Sequence, residues 1–367
     1  MTPATDPVTQ GDPRFDGAVR ESELHPGAYE ALLPVIHPGD SHAANLLELD
    51  NGDLLCTWFN GPDEGDPGTN VVLSRLPHGS DRWTAPVLLA DDPDRAEQNP
   101  VLAHGPDGTL WLFFPSDEPH DQKTARLIVR NSADGGRSWG QPRTLFEGPG
   151  LFVRNPPLLL GDGSWLLPAY WCRKDGEHST VMISEDGGGT WSEHDLPDSD
   201  HLVQMTAVQR EDGSLYAMFR SRAADRIHAA ESFDLGRTWT PVAKTELPNN
   251  NSAVQLTRLH SGALALIYND ATLERDQYRW VGEGAGRRKK ALRTPLTLAL
   301  SDDGGRTWPH RRDIQTADQE YWDNELGYSY PSILQTRDGG LHIAYSFLRK
   351  TIKHVRVEED WIRGGRR

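Results

Sequence analysis

SADGGRSW, residues 132–139, is written again as SEDGGGTW at 184–191, SFDLGRTW at 232–239 and SDDGGRTW at 301–308. Asp and Ser/Thr bond nearby backbone, glycine supplies tight or left-handed backbone, and Trp supplies apolar area to bury. The octet therefore reads as a structural turn, and four scattered copies of one turn cannot all line one site. A worn copy runs from Ser74 to Trp83.

A second repeat is more regular: an apolar run, a tight turn ending in glycine, and another apolar run. NLLELDNGDLLCTWF and SILQTRDGGLHIAYSF are its first and last copies. The turn glycines are Gly52, Gly108, Gly163, Gly213, Gly262 and Gly339. Each copy predicts a β-hairpin. Six hairpins at a period of about 50 residues, most followed by a strand pair carrying the octet, predict an all-β, six-bladed β-propeller. The C-terminal IKHVRV predicts one more strand, and an N-terminal strand near 30–36 is expected to complete the last blade. Residues 1–27 are expected to form a flexible arm, and 28–367 one propeller domain with a charged insertion, ERDQYRWVGEGAGRRKK, at 274–290. That insertion is expected to be a lid over the mouth or an interface.

Composition excludes several functions. The formal net charge is −16, which argues against a nucleic-acid footprint. Cys56 and Cys172 sit in apolar strands and read as buried thiols. The histidines lack metal-ligand spacing, so neither a metal nor another cofactor is expected. No run reaches the ~20 apolar residues of a membrane span, and 1–27 lacks a signal core. The expectation is a soluble, cytoplasmic protein, or a secreted one if a leader has been removed, with no membrane partner and an oligomeric state the sequence leaves open.

The starts of the first strands and the ends of the second strands share one rim, near the axis. At the starts stand His42, Asn99, Asn155 (preceded by Arg154), Gln204, Asn251 and Tyr330; at the ends stand Glu64, Asp117, Arg220, Asp270 and Arg349. Polar groups converging on an otherwise apolar channel predict a small-molecule site.

At these residues the chain resembles the sialidase superfamily of six-bladed propellers built on Asp-box repeats. The resemblance implies a glycosidase that clamps a sugar carboxylate with arginines and attacks with a tyrosine helped by a glutamate, an aspartate serving as acid and base. It places Arg220, seven residues after its turn glycine, and Arg293, eight before Ser301, in the clamp, and Tyr330 as nucleophile. Asn99, Arg154, Asn155, Gln204 and Asn251 are expected to bind substrate. His42 stands where the family has the arginine of an Arg-Ile-Pro motif, and Gln204 where it has the glutamate. Glu64 and Asp63 lie on the loop expected to carry the acid, with Glu64 expected to protonate the leaving group, and His42 is expected to replace the third clamp or to act as the base that activates Tyr330. The expected substrate is an anionic sugar of the sialic- or uronic-acid type, free or in an oligosaccharide. Two alternatives stay open: a lyase or isomerase acting beside a carboxylate through His42 and Tyr330, and a non-catalytic carbohydrate-binding propeller.

Overall fold

The computed structural model describes residues 12–365, apart from Glu147 and Glu325. It is a six-bladed β-propeller. The first blade shows the pattern: Asp40–Glu48, Leu54–Gly61, Asn70–Leu76 and Val87–Ala90 pair antiparallel in chain order, innermost first. The six predicted turn glycines close the inner hairpins with φ between 80° and 94°, a region other residues avoid. The last blade runs Tyr328–Gln335, Leu341–Phe347, Thr351–Val357, and is completed by Tyr29–Leu32 from the N-terminus. Strands from the two ends of the chain thus close the ring, with Tyr29 opposite Arg356.

Within 1–27, residues from 12 onward lie against the propeller. Phe15 and Ala18 are buried, and Arg20–Glu21 pairs outside Tyr29–Leu32. Residues 12–27 thus do not form the expected arm, and its remaining residues, 1–11, fall outside the described residues. The insertion forms a two-stranded ribbon, Tyr278–Val281 with Arg288–Ala291. Arg279 donates to the Asn324 carbonyl and lies over the Tyr321 ring, so the ribbon leans on the approach to the last blade.

The octets join the third strand of a blade to its fourth. Asp134 Oδ1 accepts from the Ser132 hydroxyl and from the backbone of Arg137 and Ser138, and Oδ2 accepts from the Ser138 hydroxyl. Their glycines also do something the sequence did not disclose. A Cβ on Gly188 would lie 2.7 Å from Trp111, on Gly236 2.3 Å from Leu166, and on Gly305 2.4 Å from Tyr216. Gly136 meets Leu55 in the same way, at 3.3 Å. Each contacted side chain is the second residue of the preceding blade's second strand. The octet is therefore the joint between blades: glycine lets the turn settle on its neighbour's large side chain, and close packing there holds the ring together.

Candidate active site

The starts of the inner strands are bulged. Pairing slips between His42 and Asn45, between Val203 and Thr206, and between Ser329 and Ser332. Ala43, Gln204 and Tyr330 occupy these slips with φ of 61°, 55° and 53°; Asn99 and Asn251 take 39° and 60° just before their inner strands. A left-handed residue in a strand interrupts the alternation of side chains and re-aims one of them. Five of the six blades use this device on the rim away from the glycine turns.

Tyr330 is 6 % exposed. Its hydroxyl lies 2.5 Å from Arg220 Nη1 and 3.3 Å from Gln204 Nε2. The guanidinium carbons of Arg154, Arg220 and Arg293 lie 5.5, 5.5 and 5.6 Å from its ring centre. Burial alone would raise the phenol; the positive field of Arg220, Arg293 and Arg222 outweighs burial and the opposing charge of Glu64, bringing it down to about 8. Arg220 is aimed by two acceptors, Gln204 Oε1 at 2.9 Å and Asn251 Oδ1 at 2.8 Å. Arg293 donates from Nη1 to Ser329 and is backed by Gly327, where a Cβ would come within 2.7 Å of the arginine's own.

His42 is fully buried. Its ring centre lies 4.1 Å from that of Tyr330, and its Nδ1 pairs with Ser346 Oγ at 2.7 Å. Burial, then the charges of Arg349, Arg293, Arg154 and Arg220, push it well below its ordinary pKa, so the imidazole is neutral. Its Nε2 is shielded and has no partner among the described residues.

Arg154 and Asn155, expected to touch substrate, each give one nitrogen to backbone, while Arg154 Nε and Nη1 and Asn155 Oδ1 are buried with no partner among the described residues. Arg154 Nη2 donates to the carbonyls of Ala44, Tyr330 and Pro331; Asn155 donates to those of Gln204, Met205 and Val254. From blade three they pin the bulges of blades one, six and four. Asn99 Oδ1 is buried without a partner among the described residues. Asp63 is exposed and accepts from the Glu64 amide.

Glu64 is ion-paired. Arg349 donates to it and to Asp40, each at 2.5 Å. Burial penalises the Glu64 charge, but Arg349, Arg293 and Arg220 hold its carboxyl below the usual range. Asp117 is the reverse case. It is fully buried, its Oδ2 accepts from Gln98 at 3.3 Å, and its Oδ1 has no partner among the described residues. Burial raises it to about 7; Arg95 opposes that rise, and Glu64 and Asp121 reinforce it. Arg349 and Asp117 were visible in the sequence as polar ends of second strands, with nothing to rank them above Asp270, which pairs with Arg275. Burial and pairing make that distinction.

A family model described as a BNR repeat-like domain matches residues 52–343. The chain belongs to that family. The chain is similar to a sialidase of Bacteroides fragilis, 22 % identical over 89 % of this chain and 64 % of that protein. Sialidase-4 of Homo sapiens is 30 % identical over 54 % of this chain and 50 % of its own length. The chain spans less than two thirds of these curated relatives. Among solved structures, the Hadza microbial sialidase Hz136 superposes with a TM-score of 0.72 at 18 % identity, covering 88 % of this chain and 66 % of that one. That likeness establishes the fold, a sialidase-like BNR-repeat propeller. Among the described residues, no helix is long and apolar enough to cross a membrane.

Proposed function

We propose that this BNR-repeat propeller is a glycoside hydrolase acting on a carboxylated sugar, with Tyr330 as nucleophile. The observation that carries this reading is the phenol held 2.5 Å from Arg220 in a field of guanidiniums. Sialidases commonly pair such a tyrosine with a carboxylate; Gln204 cannot take a proton, and here cationic charge does the activating. Arg220 and Arg293 bind the substrate carboxylate, since guanidinium matches its two oxygens. The phenolate attacks the anomeric carbon as the bond to the leaving oxygen breaks. Asp117, protonated near neutrality, gives its proton to that oxygen; as carboxylate it then takes one from the water that cleaves the tyrosyl–sugar bond. Glu64 stays ionised against Arg349 and orients it, and His42 braces the ring of Tyr330.

Leaving-group dependence tests the assignment of the acid. Asp117→Asn is expected to lose activity about 10²- to 10⁴-fold on a sugar with an alkyl leaving group. Its kcat/KM should stay near wild type with nitrophenolate, which leaves without a proton, while the later water step stays slow for want of the Asp117 carboxylate. The same pattern in Glu64→Gln, and not in Asp117→Asn, would move the role to Glu64. The neutral imidazole of His42 favours a second reading, proton abstraction beside the carboxylate followed by elimination. Elimination yields a conjugated product that absorbs in the ultraviolet; the hydrolase reading requires its absence. Binding without either product would identify a carbohydrate-binding propeller.

A further inference from the structure

The junction between the last blade and the first lacks what the other octets provide. The second residue of a second strand is Leu55, Trp111, Leu166 and Tyr216 in blades one to four, each seated under the next blade's octet glycine. In the last blade that residue is His342, and the turn that would cover it is the worn copy, LPHGSDRW, residues 76–83. A cavity of about 660 Å³ lies there, on the rim of the glycine turns and so opposite Tyr330. That volume falls within the range of small-molecule sites.

The protonation of its wall follows from hydrogen-bond logic. Trp83 Nε1–H can only donate, and it points at His354 Nδ1 at 3.3 Å. The proton of neutral His354 therefore sits on Nε2, 2.9 Å from His342 Nδ1. His342 must accept there and carry its own proton on Nε2. His342 lines the cavity, is 6 % exposed, and its Nε2 has no partner among the described residues. Burial and Arg356 bring its pKa down to about 4, so it remains a neutral donor.

The rest of the lining defines the complement. Leu54, Leu76 and Val19 are apolar. Arg337 is paired with Asp50, and Arg356 with Asp338 and Glu358, so carboxylates offset both cations of the lining. Glu48 Oε1 and the carboxylate of Asp81 have no partner among the described residues and offer acceptors. A ligand that fits has an apolar face, hydroxyl donors and an oxygen for the His342 N–H.

We propose that this cavity is a second binding site, for a neutral pyranose, formed where the ring's last joint was left open. It goes beyond the hydrolase reading and does not depend on it. Calorimetric titration of the full chain with methyl glucopyranosides, methyl galactopyranosides and lactose tests it, with glucuronate and an alkylammonium ion as charged controls. A neutral sugar is expected to bind, and to bind equally well to Arg220→Ala, which separates this site from the mouth. His342→Phe, with turnover unchanged, should weaken binding about three- to tenfold, the worth of one net hydrogen bond. If that variant fails to fold, Glu48→Gln with Asp81→Asn on the rim should weaken binding in its place. No binding by any neutral sugar, preference of Arg220→Ala for either charged control, or equal affinity in the folded variants would overturn the proposal.

Discussion

At the scale of the residue, charge placement decides the chemistry. Proposed catalysis needs Tyr330 ionised and Asp117 protonated, with pKa values of about 8 and about 7. Acidifying below about 8 protonates the phenol, and raising the pH above about 7 ionises the acid. The pH profile of kcat/KM is therefore expected to be a bell with its maximum between the two. Asp117→Asn should remove the alkaline limb when an activated leaving group is used. No limb near the ordinary histidine value should appear, because His42 is already neutral. Arg154 gives a second expectation. Replacing it with Met leaves three bulge carbonyls without their donor. Stability measured by urea unfolding should fall by on the order of 3 kcal/mol, and kcat should fall as well, since the lost donor held the backbone of Tyr330. An Arg154→Met protein with full stability and a raised KM alone would make Arg154 a substrate ligand.

At the scale of the element, the octet and the bulge divide the work between joint and site. Gly188 has φ of 92°, and a Cβ there would press on Trp111. Gly188→Ala is expected to lower Tm, while the catalytic rate of the folded fraction stays near wild type; a rate loss without a change in melting would put the octet in the site. Glu97, in the short strand Ala96–Glu97, gives a pH-linked case. Burial, reinforced by Asp92 and Asp91, raises it to about 8, against the amide of Val71 and the charge of Arg130. Folded Glu97 holds its proton where the unfolded chain has lost it, so its contribution is present below about 4.5 and is lost as pH rises toward 8. Glu97→Gln keeps the acceptor for Val71 and should match wild type at pH 4 and exceed it at pH 8, by on the order of a few kcal/mol. Equal pH slopes in the two proteins would mean that Glu97 is ionised when folded.

At the scale of the whole molecule, six hairpins and a ring closed by both ends of the chain could be read from glycine spacing, because a propeller repeats its local physics in every blade. Tyr330, Arg220 and Gln204 were legible for the same reason, each at a fixed offset from its turn glycine. The roles of Asp117 and Arg349 were not, because partners from other blades decide which carboxyl is protonated and which is paired. Nor were the backbone bonds of Arg154 and Asn155, because polar residues that pin bulges and polar residues that bind sugar read alike in a sequence. All of these meet in the claim that the ring exists to hold one phenol ready to attack. The most direct measurement is to incubate the full chain with a carboxylated sugar bearing fluorine beside the anomeric carbon and a fluoride leaving group, then digest it and weigh the peptides. The expected result is a sugar adduct on the peptide containing Tyr330, absent in Tyr330→Phe. Turnover of the natural-type substrate with no adduct on that peptide, accompanied by a product that absorbs in the ultraviolet, would contradict it.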